Sequence, residues 1–115
     1  MNQKEGNLEI KTKGLIKSSW KSFYCVLNET KFCWFKSESE VEEGKEVGKV
    51  ILTPKHTVQK VSIPDKFCTF VLEGEKKPLE FEAPNKKEQD SWIDALNKAI
   101  SKAQVYFMNL KIFSS

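Results

Sequence analysis

The chain has 115 residues, which is enough for one domain and too few for two. Its formal net charge is +3, and no apolar run approaches the ~18 residues that cross a bilayer, so an integral membrane protein is not expected. The first residues lack the apolar stretch of a secretory signal peptide, which favours a cytoplasmic protein.

Most of the chain consists of short alternating or β-branched segments separated by turn residues such as Asn28-Glu29, Pro54 and Pro64-Asp65. The predicted strands are residues 6–12, 20–27, 31–36, 49–53, 56–63, 67–73 and 78–83. A polar stretch over residues 37–48, with five glutamates and one lysine, is predicted to be a loop. Strands at such regular spacing are typical of a β-sandwich or barrel.

After Pro84 the hydrophobic period changes from that of a strand to that of a helix. Asn85 and Glu88 have the spacing of a capping box, which marks a helix start. Apolar residues then recur at helical spacing; they are Trp92, Ala95, Leu96, Ala99, Ile100 and Ala103. The pattern predicts one amphipathic helix that closes the domain.

The last residues, 104–115, allow two interpretations. The helical register continues through Phe107 and Leu110, and no Gly or Pro ends the helix before Ser115. Chain termini are commonly loose, so a disordered end after Gln104 is the alternative.

The three cysteines and the single histidine form no recognisable catalytic or metal-binding pattern. Cys25, Cys33 and Cys68 each lie inside an apolar run, as buried reduced thiols do. His56 has no Ser, Asp or Cys partner at a motif spacing, and we interpret it as an exposed structural residue. We therefore expect no enzyme activity, no cofactor and no bound metal.

Lysine supplies all 19 basic side chains, since the chain contains no arginine. Residues 1–36 hold seven lysines and three glutamates, so the positive charge is concentrated before the acidic loop. Arginine binds phosphate through a planar fork of donors, whereas lysine acts as a point charge. Any anion site in this chain should therefore select weakly between ligand geometries.

The order and spacing of these elements resemble a pleckstrin homology (PH) domain from about Lys4 to Ile100. The matching segments are KEGNLEIK, WKSFYCVL, KFCWFK, VGKVILT and FEAPNKKEQDSWIDALNKAI. The resemblance implies a mainly β fold, a seven-stranded bent β-sandwich or barrel capped by one C-terminal α-helix. We assign residues 1–103 to this domain and residues 104–115 to a helical extension or a loose tail. Phosphotyrosine-binding and EVH1-like domains, which share the superfold and bind peptides, are the alternatives.

In the resembled family, the loop between the first two strands and the adjoining third and fourth strands form a cationic cup for inositol phosphates. The matching residues here are Lys11, Lys13, Lys17, Lys21 and Lys36. The resemblance implies that they bind a phosphoinositide or an anionic membrane, to which each lysine contributes roughly 1 kcal/mol. The hairpin tip, Gly14 to Ile16, would add an apolar contact with the membrane interface. The alternative is that these lysines only form a solvated face.

Two tryptophans are expected to have structural roles. Trp20 faces outward at the neck of the basic hairpin, where its ring can brace the stem of the hairpin; direct insertion into a membrane is the alternative. Trp92 resembles the helix tryptophan that plugs the barrel in the family.

The chain departs from the family's phosphate-binding pattern at two positions. Family members with tight binding usually carry a basic residue in a WKxR pattern, and that position is Phe23 here. The usual lysine at the end of the first strand is Ile10, and alternation directs Lys11 to the other face. Specific binding of one phosphoinositide is therefore not expected, although Phe23→Arg should raise the affinity for polyphosphorylated headgroups.

We expect a non-enzymatic module from a larger signalling or trafficking protein. Its expected function is weak, lysine-based recognition of phosphoinositide-containing membrane, which would make it a cytoplasmic, peripheral membrane protein. The alternative is a protein-interaction or autoinhibitory module with little lipid specificity, in which the acidic loop or the tail contacts a partner. Binding to nucleic acid is not expected.

Overall fold

The computed structural model describes residues 3–13 and 17–114, and side chains as far as Asn109. The strands are β1 (Gln3–Lys13), β2 (Ser18–Asn28), β3 (Lys31–Phe35), β4 (Gly48–Ile51), β5 (Thr57–Lys60), β6 (Thr69–Glu73) and β7 (Leu79–Glu82). The helices are α1 (Ser39–Glu42) and α2 (Lys86–Ser114). All seven predicted strands and the C-terminal helix are confirmed.

The strands form one antiparallel sheet in the order β4-β3-β2-β1-β7-β6-β5. Val50 of one edge strand and Val58 of the other belong to the same hydrophobic cluster, so the sheet must curl around a single core. Trp92 and Leu96 of α2 join that cluster and are fully buried. This arrangement confirms the predicted fold class.

Alternate side chains of each strand point toward the core, and we call that side of the sheet the inner face. Leu8 and Ile10 of β1 and Phe23 and Cys25 of β2 lie on it and are buried. Residues that pair directly across two antiparallel strands share a face. The pairing register therefore assigns every hairpin side chain to the inner face or to the opposite, outer face.

Helix α2 begins as the capping pattern predicts, because the N–H of Glu88 donates to Oδ1 of Asn85 over 2.8 Å. The ring of Trp92 packs edge-on against Phe32, with the ring centroids 5.9 Å apart. Nζ of Lys4 lies 5.2 Å from the Trp92 ring on the rim of the core. These contacts fasten the first turns of the helix to the sheet.

The acidic stretch differs from the predicted loop, whereas the tail follows one of the two interpretations given for it. The acidic stretch contains one helical turn, α1, where the N–H groups of Glu40 and Val41 donate to carbonyl oxygens three residues earlier. Helix α2 continues past Gln104 to Ser114, although the side chain of Leu110 lies outside the described residues. Within the described residues, no helix is both long and apolar enough to cross a membrane.

Candidate anion-binding site

Two of the candidate lysines lie on the outer face of the β1–β2 hairpin. The register pairs Lys11 with Trp20 and Lys13 with Ser18. Lys11 follows the buried Ile10, so alternation turns its side chain away from the core, as the sequence predicts. The outer face therefore carries two ammonium groups near the end of the hairpin.

Two other candidate lysines belong to the inner face. Lys21 pairs with Ile10, and extending the β2–β3 register by one residue places Lys36 opposite Phe23. Both lysines are exposed, but Ile10 and Phe23 beside them are buried in the core. The inner side of this end is thus closed by apolar side chains, and these four candidate lysines are divided between the two faces of the sheet.

The end of the hairpin supplies the fifth candidate. Lys17 lies just before β2 and is exposed. The tip from Gly14 to Ile16, for which we expect a membrane contact, lies outside the described residues.

A groove of about 380 Å³ opens on the outer face, between the β1–β2 hairpin and the β6–β7 turn. We call it the hairpin groove; its lining residues are Lys11, Lys13, Ser18, Lys77, Pro78, Leu79 and Glu80. It exists because β1 pairs with β7 through Ile10 and Phe81, which brings the turn before β7 alongside the hairpin. Pro78 and Leu79 provide apolar surface between the charged side chains.

The charge in the hairpin groove is predominantly positive. Three ammonium groups face one carboxylate, Glu80, whose Oε2 lies 3.7 Å from Nζ of Lys11. Within the residues that the structure describes, Lys13 and Lys77 form no ion pair. Such a groove can accept a phosphate group, since amines without a partner lose no existing contact when they bind it.

Lys77 is the groove residue that the sequence analysis missed. It lies between two predicted strands, in the GEKK segment before Pro78, but the sequence does not show that this segment lies beside β1. The available signal was the pair of adjacent lysines at the tip of that turn, Lys76 and Lys77.

Trp20 lies opposite Lys11 on the outer face and contacts the β5–β6 loop. Nζ of Lys66 is 4.8 Å from the centre of the Trp20 ring, a cation–π distance. Lys66 also approaches Glu82 at 3.4 Å, and the N–H of Phe67 donates to the same carboxylate over 2.9 Å. Burial alone would raise the pKa of Glu82, but the Phe67 N–H and the Lys66 ammonium outweigh it and hold the pKa below its usual value.

The expectation that His56 is exposed is wrong, because only 4% of the surface of this residue is exposed. The N–H of Thr53 donates to Nδ1 over 3.0 Å, and Nε2 lies 2.8 Å from Oε2 of Glu75. Both ring nitrogens thus have partners, which removes the main cost of burying a polar side chain. The sequence places His56 at the start of a strand, and this position does not reveal its partners, since Glu75 is 19 residues away.

The cysteines have the character of structural thiols. Cys25 and Cys33 are buried, and Cys68 is half-buried. Burial raises the pKa of the Cys25 thiol to about 12 and that of Cys33 to about 11, so both stay protonated at neutral pH. No cluster of three or more His, Cys, Asp or Glu side chains that could hold a metal ion occurs in the described part of the chain.

Comparison with known protein families gives one match across most of the chain. The model of the PH domain family matches residues 2–101. The match includes all seven strands and α2 as far as Ser101, and it ends before the last turns of that helix.

Solved structures with the same fold include proteins studied with lipids or inositol phosphates. The Slm1 PH domain in complex with D-myo-inositol-4-phosphate is 26% identical, with a TM-score of 0.68, over 85% of this chain and 94% of that chain. A structure from a systematic screen for protein–lipid interactions in Saccharomyces cerevisiae is 27% identical, with a TM-score of 0.71 and the same two coverages. The PH domain of human oxysterol-binding protein-related protein 11 is 18% identical, with a TM-score of 0.73, over 90% of this chain and 84% of that chain, and shows the fold alone.

Proposed function

Because this chain belongs to the PH domain family, we propose that it is a non-enzymatic module that binds the phosphorylated headgroups of anionic membranes through lysine side chains. Its role would be to bring a larger protein to a phosphoinositide-containing surface. The observation that carries the proposal is the hairpin groove, where Lys11, Lys13 and Lys77 surround an opening with a single carboxylate. The inositol phosphate bound by the Slm1 PH domain supports the class of ligand.

The lysines divide into two groups that experiment can separate. Lys11, Lys13 and Lys77 border the hairpin groove, whereas Lys21 and Lys36 flank the apolar inner side. We propose that the groove holds the headgroup and that Lys17, Lys21 and Lys36 add long-range attraction to the membrane. Each lysine near an anionic surface contributes roughly 1 kcal/mol, so the total affinity is modest.

The test is sedimentation with phosphatidylcholine vesicles that contain or lack phosphatidylinositol 4-phosphate, over a salt series. The groove variant Lys11→Gln/Lys13→Gln/Lys77→Gln should lose binding to the phosphoinositide vesicles. The matched variant Lys17→Gln/Lys21→Gln/Lys36→Gln removes the same charge and should retain more binding than the groove variant. Wild-type binding should weaken steeply with salt, because separated surface charges are screened beyond ~8–10 Å.

Three results would count against this assignment. Equal losses in the two triple variants would show that charge alone, without the groove, accounts for binding. A greater loss in the Lys17→Gln/Lys21→Gln/Lys36→Gln variant would return the site to the cup that the family resemblance implies. Failure of the wild-type protein to bind any anionic vesicle would favour the alternative, a protein-interaction module.

A further inference from the structure

The β6–β7 turn, which carries Lys77, is tied to a buried side chain of another turn. Oε2 of Glu75 lies 2.8 Å from Nε2 of His56, which ends the β4–β5 turn. His56 is buried, whereas the Glu75 side chain is 43% exposed. The hydrogen bond between them therefore connects the β6–β7 turn to the end of the β4–β5 turn.

The hydrogen bonds fix the tautomer of this histidine. A backbone N–H can only donate, so the bond from Thr53 makes Nδ1 the acceptor. Nε2 then carries the ring proton and donates it to the Glu75 carboxylate. Both ring nitrogens are used in one orientation of the ring, and that orientation determines where Glu75 lies.

Gly74 also packs closely against His56, and we call the contacts of His56 with Glu75 and Gly74 the clamp. Its φ of +131° is a conformation that side chains disfavour, and a Cβ at this position would lie only 2.6 Å from Cδ2 of His56. The backbone of the turn can approach the imidazole this closely because the residue is glycine. The turn is thus held by a hydrogen bond from the ring and by contact with its edge.

We propose that His56 and Glu75 are positioning residues for the hairpin groove: they hold the β6–β7 turn so that Lys77 faces Lys11 and Lys13. The inference rests on the proposed function, since it assigns these residues to the same anion site. Neither residue lines the groove, so both act through Lys77.

The direction in which Glu75→Ala changes binding to anionic vesicles separates a positioning role from simple electrostatics. Glu75 is a carboxylate two residues from Lys77, so removing its charge should strengthen binding to an anion if charge alone matters. If the clamp matters, Glu75→Ala should weaken binding, because the turn loses its anchor. The expected loss is about fivefold, the contribution of one lysine near an anionic surface.

Two variants serve as controls for Glu75→Ala. Glu75→Gln removes the charge but keeps an oxygen that can accept the hydrogen bond from Nε2, so it should bind at least as tightly as the wild type. Glu73→Ala removes an exposed carboxylate from the end of β6 outside the clamp, and it should not weaken binding. All variants would be compared by sedimentation with the phosphatidylinositol 4-phosphate vesicles at one salt concentration.

A double-mutant cycle checks that Glu75 acts through Lys77. Glu75→Ala combined with Lys77→Gln should bind no more weakly than Lys77→Gln alone, since the clamp then has no lysine to position. Additive losses would contradict the proposal, as would binding that is unchanged or stronger in Glu75→Ala. A wild type that ignores all anionic vesicles would overturn the proposed function and this inference together, whereas wild-type binding with an unaffected Glu75→Ala variant would overturn the inference alone.

Discussion

Glu80 is the carboxylate that borders the hairpin groove, and its contact with Lys11 competes with any incoming phosphate. The pair is partly exposed and 3.7 Å long, so it contributes little to stability. Glu80→Gln should therefore raise the affinity for phosphoinositide vesicles about two- to fivefold at low salt, because one lysine is released and one negative charge is removed.

The matched control for this prediction is Glu42→Gln, which removes an exposed carboxylate from α1. Binding to vesicles and the thermal midpoint Tm would be measured for both variants. An equal gain in affinity from Glu42→Gln would show that net charge alone is responsible. A large fall in Tm for Glu80→Gln would contradict the weak structural role of its ion pair.

Phe23 has a structural role that its position in the phosphate-binding pattern does not reveal. It is 8% exposed, pairs with Leu8 and belongs to the core cluster. Phe23→Arg should therefore lower the free energy of unfolding by at least about 2 kcal/mol, because apolar packing is lost and a charge must be kept out of the core. The sequence-based expectation that it raises headgroup affinity stays a prediction, and it applies only to the fraction of protein that is folded.

Urea unfolding of Phe23→Arg beside Lys21→Arg tests this point. Lys21 lies on the same face of the same strand but is exposed, so Lys21→Arg should leave stability unchanged. Equal stability of Phe23→Arg and the wild type would mean that Phe23 contributes nothing to the core.

At the scale of elements, helix α2 is continuous, but the burial of its side chains ends at Ala103. Trp92, Leu96, Ala99 and Ala103 are buried, whereas the four residues from Val105 to Met108 are each 50–57% exposed. Truncation after Gln104 should change the free energy of unfolding by less than about 1 kcal/mol, since it removes no fully buried side chain among those described. Truncation after Lys98 also removes Ala99, Ile100 and Ala103, and it should cost about 2 kcal/mol or more.

The same truncation tests the proposed boundary between residues 1–103 and the tail. Urea denaturation gives the stability of each form, and analytical ultracentrifugation gives its state of association. A marked loss of stability on truncation after Gln104 would place the tail within the folded domain. Loss of self-association with unchanged stability would assign it to contacts with a second molecule.

The β5–β6 loop depends on Glu82, whose carboxylate receives the Phe67 N–H and the Lys66 ammonium. Because the pKa of Glu82 is lower in the folded state than in the unfolded state, its contribution to stability is present above the unfolded value and is lost as the pH falls through the folded value. Glu82→Gln should be less stable than the wild type at neutral pH, and the difference should shrink below about pH 4, where free glutamate becomes protonated. Urea unfolding across this range would measure it; a difference that stays constant with pH would contradict the assignment.

At the scale of the whole molecule, the absence of arginine limits selectivity. Point charges on flexible side chains do not read the positions of phosphates as a guanidinium fork does. The wild type should therefore discriminate among phosphoinositide isomers by less than about tenfold, which corresponds to ~1.4 kcal/mol. Vesicles that differ only in the isomer give the measurement, and a larger preference would show that the groove has a geometry that lysines alone do not supply.

The sequence by itself determined the elements and their buried faces. Alternation along the first strand placed Ile10 and Lys11 on opposite faces, and Asn85 with Glu88 marked the start of the last helix. These features depend on neighbours within a few residues, where periodicity and capping chemistry act directly. The sequence predicted a loop where the acidic stretch forms α1, and it left two interpretations for the end of α2, because weak local signals there compete with one another.

Only the tertiary structure decided which charged groups lie together. Four of the five candidate lysines separate onto two faces, and Lys77 joins Lys11 and Lys13, because β7 pairs with β1 although the two strands are far apart in the chain. His56 became a buried residue through Glu75, which belongs to another turn. Hydrophobic period fixes which way a side chain points along its own strand, but the order of strands in the sheet fixes what it meets there, and that order is set by packing of the whole core.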